Sequence, residues 1–259
     1  MDKLSTSTQM KIATWNCNGG LRNKIAEANS LHADILIIQE CENPEYSTQT
    51  YKEWAGEYLW VGSNKNKGIG IFPKNGNKVE ALNWSGTFKL LGLNSSNPAL
   101  TWNTAELSLF LPFSINGELN ILAVWTKGKN SETFRYIGQL WKYLQIHRSD
   151  LARHKTLIAG DFNSNTIWDN TDRWWNHTDV VNELREIGFE SLYHHNKGES
   201  QGCETKPTFY LYRKLDRPYH IDYIFCSLDL LNRCDLEIGS AENWLKISDH
   251  LPLSLKLNS

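Results

Sequence analysis

Apolar residues fall in short runs separated by polar turns along the chain. Ile35-Leu36-Ile37-Ile38 is apolar at every position, the pattern of a strand covered on both faces. Similar runs predict strands at Lys11–Asn16, Asp34–Gln39, Ile69–Phe72, Leu119–Trp125, Thr156–Ala159, His220–Cys226 and Pro252–Leu257, and Glu106-Leu107-Ser108-Leu109 alternates as a half-buried strand would. Between them, Phe134, Ile137, Leu140, Trp141 and Leu144 recur at helical spacing and predict a helix over Ser131–Arg148. Asn130 or Ser131 suits its N-cap, and Arg148 suits the negative end of the helix dipole. Shorter helices are expected at Leu21–Leu31 and Val180–Ile187, and polar turns at Ser63–Gly68, Lys74–Asn77 and Asn94–Pro98.

Strands and helices interspersed from end to end, without repeats or a long linker, predict one α/β domain with sheet packed on sheet and helices outside. A parallel dinucleotide fold is the alternative, but Asn18-Gly19-Gly20 does not make the glycine-rich phosphate loop it needs. The 259 residues suffice for a sizeable core. Residues 1–10 read as a flexible polar tail without a secretory signal, and 11–259 as a single catalytic domain. No apolar run approaches the ~18 residues that span a bilayer. A formal net charge of -2 excludes a strongly basic polyanion binder but leaves room for a local basic groove. Five cysteines without a C-x-x-C spacing read as reduced thiols of a cytoplasmic protein. Zinc is not expected, because His194 and His195 are adjacent and diverge on most backbones.

The chemistry gathers where strands end. Ile12–Asn16, Ile35–Glu40 and Leu157–Asn163 each run from apolar to polar, and Ser248-Asp249-His250 precedes Leu251-Pro252-Leu253. A carboxylate directly after a buried strand must meet solvent, a cation or a donor. Glu40, Asp161 and Asp249, with Asn16 and His250, form a set of hard oxygen ligands and a base that suits Mg2+ or Mn2+ and a phosphate ester.

The same residues carry a resemblance. T-W-N-C-N-G around Asn16, I-I-Q-E ending at Glu40, G-D-F-N-S at Gly160–Ser164, H-I-D-Y-I-F at His220–Phe225 and S-D-H-L-P-L at Ser248–Leu253 occur in that order. Together they resemble the endonuclease/exonuclease/phosphatase superfamily. The resemblance implies a four-layer α/β/β/α sandwich of two packed mixed sheets flanked by helices, with the site at one sheet edge. It implies that Glu40 is the principal metal ligand, with Asn16 and Asp249 nearby. Asp161 would orient or deprotonate the attacking water, Asn163 would bind that water or the phosphate, and His250 would contact the phosphate while Asp222 holds its other ring nitrogen.

Two positions depart from the family pattern. Asn18 stands where exonuclease III-like members usually carry Asp, and Trp125-Thr126 where others place His or Tyr. The segment after Gly160-Asp161 lacks the Arg of the inositol phosphatase branch. Basic residues cluster at Lys65, Lys67, Lys74 and Lys78, at Lys127, Lys129 and Arg135, and at Arg213, Lys214 and Arg217, as a phosphate backbone would require. Asn18, Trp125, Lys127 and Trp174 are the expected substrate contacts, the last with Trp175 as a wall on the exposed 163–176 loop. The reading is a Mg2+- or Mn2+-dependent phosphodiesterase, first of all a nuclease. The alternatives are a phosphomonoesterase or small-molecule or lipid phosphodiesterase, and a catalytically weak nucleic-acid-binding module. Nucleic acid is the expected partner, and no obligate protein partner is evident.

Overall fold

Ile35 and Ile37 point to one side of their strand and Leu36 and Ile38 to the other, and all four are buried. That double burial sets the layering of the molecule. The computed structural model describes residues 9–90, 101–128, 133–153 and 155–258. Its strands are β1 (Met10–Asn16), β2 (Ile35–Cys41), β3 (Leu59–Asn64), β4 (Lys67–Pro73), β5 (Val79–Ala81), β6 (Thr87–Lys89), β7 (Thr101–Asn103), β8 (Phe110–Ile115), β9 (Leu119–Trp125), β10 (Thr156–Asp161), β11 (Phe189–Ser191), β12 (Phe209–Tyr210), β13 (Pro218–Tyr219), β14 (Asp222–Ser227), β15 (Cys234–Ile238) and β16 (Leu253–Leu257). The helices are α1 (Ile25–Ser30), α2 (Gln49–Ala55), α3 (Ile137–Ala152), α4 (His177–Glu186), α5 (Leu192–Lys197) and α6 (Ala241–Trp244).

One six-stranded sheet has the order β15-β16-β1-β2-β4-β3, and the other β11-β14-β10-β9-β8-β5. Both are mixed: β1 runs parallel to β2 and β9 to β10, while β16, β4, β8 and β14 pair antiparallel. Ile12, Ile37, Ile71, Ile121, Leu157 and Ile224 meet between the sheets. The outer face of the first sheet packs Ala13, Trp15 and Ile38 on Leu21, Ala28 and Tyr51. The outer face of the second packs Leu122, Ile158 and Phe225 on Leu140 and Leu144 of α3 and Val180 and Leu184 of α4. This is the four-layer α/β/β/α sandwich.

Several local expectations shift. The segment Leu21–Leu31 is not one helix: a 3-10 turn at Leu21–Asn23 precedes α1, with the break at Lys24 (φ -129°). Helix α3 starts at Ile137, because Tyr136 enters it at φ 52° and Phe134 instead packs among Trp102, Trp141 and Trp175. Asn130 and Ser131 lie outside the described residues, as do the turn at 94–98 and Lys129. Arg148 does not serve the end of α3, which runs on to Ala152; it bridges to Glu183 and Glu186 of α4. Glu106–Leu109 is not a strand, since Asn103 accepts from Ala105 N and turns the chain before β8. The tail expected at 1–10 lies mostly outside the described residues, but Met10 already pairs with Leu257 in β1. Among the described residues, no helix is long and apolar enough to cross a membrane.

Candidate active site

Parallel pairing of β1 with β2 puts Asn16 opposite Gln39, so Glu40 emerges one residue later at the same edge. The ladder between β2 and β4 slips between Gln39 and Cys41, and Glu40 occupies the bulge at φ 60°. A non-glycine residue in this region costs roughly 1–2 kcal/mol. The bulge turns the carboxylate away from the sheet's regular alternation and toward Asn16. Asn16 Nδ2 donates to Glu40 Oε1 at 3.3 Å and to Asp161 Oδ2 at 2.9 Å. One amide therefore ties a carboxylate of the first sheet to a carboxylate of the second.

Asp161 ends β10 and faces Asp222, the first residue of β14. Gly160 precedes it at φ 146°, where a Cβ would sit 1.9 Å from Val124 O, so only glycine lets β10 lie against β9 here. The Asp161 carboxylate is fully buried and needs donors. Asn163, at φ 45°, supplies its backbone N–H to Oδ1 and its side-chain amide to Oδ2, both at 2.8 Å. Burial still pushes the Asp161 carboxyl up to about 7; the Asp222 charge adds to this, while His250, Asn16 and Asn163 oppose it.

His250 Nδ1 lies 2.9 Å from Asp222 Oδ2 and 3.1 Å from Oδ1, and its Nε2 is 3.9 Å from Asp161 Oδ2. Burial works against a charge on His250, but the Asp222 and Asp161 carboxylates raise it to about 9. Thr208 Oγ1 donates to Asp222 Oδ2 at 2.8 Å, and the segment before β16 is tied to β1 by Ser248 Oγ to Asn16 O and Trp15 Nε1 to His250 O.

Asn16, Glu40, Asp161, Asn163, Asp222 and His250 thus meet at one edge of both sheets. Asp249 follows the Ser248 anchor, half-buried, but among the described residues no hydrogen bond joins its carboxylate to Asn16 or Glu40. Asn16 stands as a bridge, because its Oδ1 already accepts from Asn18 N at 3.0 Å. Asn18 itself is exposed at φ 53°. Trp125 offers no open stacking face: it is 4% exposed and its ring belongs to the core between the sheets. Its edge lines a cavity of about 270 Å3 with Ser63, Leu109, Lys127 and Gln139, and Lys127 Nζ stands 5.1 Å from its ring centre. Trp174 is 47% exposed and packs edge-on against Phe134, Trp141 and Trp175.

The first basic cluster divides. Lys65 lies in the turn between β3 and β4 and Lys67 directly after it, at the Glu40 edge. Lys74 and Lys78 lie at the opposite end, ~20 Å away by the length of a seven-residue strand. Lys74 is engaged there, donating to Trp54 O and covering the Trp54 ring. Arg213 is engaged as well, on the carbonyls of Lys246 and Ile247.

Three supporting residues, and the role of a fourth, escape a sequence reading. Glu42 is buried and takes the N–H groups of Leu21 and Arg22, fixing the loop that carries Asn18. Its only signal is a second acid in Q-E-C-E. Thr208, and Asn165, which donates to Glu204 and to His220 O, have none, and Lys67, singled out only as part of a basic cluster, pairs with Glu40 Oε2.

A divalent ion fits this donor set. The Lys67 ammonium already stands on Glu40 as a cation, and Glu40 is reachable from solvent with 19% of its side chain exposed. Asp161, Asp222 and His250 form another grouping able to hold a metal, but an ion there would have to displace the proton that His250 shares with Asp222.

The Endonuclease/Exonuclease/phosphatase family model matches residues 13–250, and the chain belongs to that family of phosphoester hydrolases. Solved structures share its fold. A 3' phosphatase, NExo, from Neisseria, bound to a product DNA hairpin, superimposes with a TM-score of 0.67 at 17% identity, covering 96% of this chain and 100% of that one. An AP endonuclease from Archaeoglobus fulgidus gives 0.63 at 22% identity, covering 96% and 99%. Truncated TDP2 from Caenorhabditis elegans gives 0.61 at 14% identity, covering 97% and 98%. No curated protein matches the chain in sequence.

Proposed function

We propose that this protein is a Mg2+- or Mn2+-dependent phosphodiester hydrolase that cleaves nucleic acid to 3′-hydroxyl and 5′-phosphate ends. The observation that carries the reading is the Asn16 amide joining Glu40 to Asp161, with the His250–Asp222 pair on the far side of Asp161. Glu40 would hold the ion, with Asn16 and Asp249 at the same edge. When bound, the ion supplies charge stabilisation to the departing oxygen. Asp161 orients the attacking water and receives its proton, a role that suits a carboxyl held near neutrality. Asn163 holds Asp161 through two donors and presents its amide beside it. His250, protonated at neutral pH and fixed by Asp222, donates from Nε2 to a phosphate oxygen. Lys127, with Asn18 and Trp174 at the rim, meets the neighbouring strand. Fold neighbours named as an AP endonuclease and as a phosphatase bound to a DNA hairpin support nucleic acid as the substrate class.

The test is incubation of the purified protein with Mg2+ or Mn2+ and end-labelled single- and double-stranded DNA, RNA and abasic duplex, beside inositol phosphates. Metal-dependent cleavage of a nucleic acid is expected, and Glu40→Gln should lower it by at least ~100-fold. Turnover of inositol or lipid phosphates without any nucleic acid cleavage would replace the reading with the phosphatase alternative. Binding without turnover of anything would leave a nucleic-acid-binding module.

A further inference from the structure

Among the described residues, one cation pairs with Glu40. Lys67 Nζ pairs with Oε2, and Asn16 holds the other oxygen. Lys67 opens β4 directly after the hairpin turn, opposite Asn64, and its side chain is 46% exposed against 19% for Glu40. The lysine therefore reaches in from solvent toward a carboxylate presented from within. Its stem passes the Asn18–Gly20 loop, with Cε 3.7 Å from the place a Cβ on Gly19 would take. The same hairpin contributes Ser63 to the cavity beside Trp125 and Lys127.

We propose that Lys67 is a displaceable counter-ion of the metal-binding carboxylate. In the metal-free protein it neutralises Glu40, and it leaves when a divalent cation binds. The released ammonium then stands at the mouth of the site, where it meets a substrate phosphate. This rests on reading Glu40 as a metal ligand.

The choice of residue suits the role. A partly exposed lysine pair is worth only ~0.2–1 kcal/mol, so a divalent ion can displace it. Arginine would grip both carboxylate oxygens in a planar fork and yield less readily, whereas lysine is a single charge on a flexible stem. Linkage gives a second consequence. Any phosphate that draws Lys67 away frees Glu40, so phosphate and metal each raise the affinity for the other through this side chain.

Calorimetric titration of Mn2+ into the metal-free full chain tests the proposal without turnover. Lys67→Met should bind Mn2+ roughly twofold to fivefold more tightly than the wild type, the upper part of what a partly exposed ion pair of ~0.2–1 kcal/mol allows. Lys65→Met removes an equal charge two residues away and should change affinity by less than about twofold, because screening weakens charges not in contact. Glu40→Gln should abolish the binding. In a second arm with thymidine 5′-monophosphate as the probe, Lys67→Met should weaken binding of the nucleotide to the Mn2+-loaded protein. Lys67→Met that binds Mn2+ like the wild type, like Lys65→Met or more weakly overturns the proposal, while Glu40→Gln still sensitive in that experiment keeps Glu40 as ligand. Glu40→Gln that binds Mn2+ as the wild type does overturns the ligand assignment itself, and this proposal with it.

Discussion

The proton between His250 and Asp222 has two acceptor oxygens, at 2.9 and 3.1 Å. Asp222 spends its oxygens on His250 Nδ1 and the Thr208 hydroxyl, so it acts through the imidazole. Removing its charge leaves burial opposed chiefly by Asp161, and the His250 proton should become easier to lose. Asp222→Asn is therefore expected to move the alkaline limb of the kcat/KM profile down from about 9 by at least ~1 unit. His250→Ala should cost at least as much activity, and the double variant little more than the worse single one, because the pair acts as a unit. Independent, additive losses would show that the two do not cooperate. These residues were legible because each stands in a local motif: Asp161 and Asn163 in G-D-F-N, Asp222 in H-I-D-Y, His250 in S-D-H. Thr208, and the pairing of Lys67 with Glu40, were not, since the partners lie 14 and 27 residues away and only the folded sheets bring them together.

Helix α4 opens on a buried histidine. Asn176 and Asp179 form its capping box, and His177 accepts its place at 1% exposure with Nε2 facing Gln201. Burial lowers the His177 pKa to about 4. The unfolded chain takes up this proton near 6.5 and the fold resists it, so His177 contributes stability above about 6.5 that is lost as pH falls toward about 4. The loss amounts to roughly 3 kcal/mol. Denaturant titrations of His177→Gln should show a flatter stability profile over that interval; a slope equal to the wild type's would contradict the assignment. At the other end of the element scale, Arg148→Ala breaks a partly buried pair with Glu183 and an exposed one with Glu186 and should cost about 1 kcal/mol by the same measurement. Elements were legible where burial is two-sided, as at Ile35–Ile38. Helix α3 was misplaced at its start because Phe134 keeps the helical spacing while packing from a loop. The bulge at Glu40 leaves no mark in composition, since it depends on how β4 pairs.

At the scale of the molecule, a net charge of -2 is distributed unevenly. Lys65, Lys67 and Lys127 stand at the edge that holds the buried acids, whereas Lys74 and Lys78 do not. A long strand crossing this edge would release about one counter-ion for each lysine contact. Combining Lys65→Glu with Lys127→Glu should raise KM for a long oligonucleotide roughly tenfold and reduce the salt slope by ~2. Hydrolysis of a minimal aryl phosphodiester should be nearly unaffected. An equal loss on both substrates would place these lysines in the chemistry rather than in a groove.

The strand order of the first sheet also has a consequence in time. Its final strand in sequence, β16, sits between β15 and β1, while the second sheet is complete at Ser227. A nascent chain can therefore close one sheet while β1 still waits with an open edge for residues 253–257. Until they arrive, that edge is a template for pairing with another molecule. A chain truncated before Leu253 should present a protease-resistant second sheet and a labile first one. Enzyme assembled this way would become competent only when the strand that follows His250 locks into place.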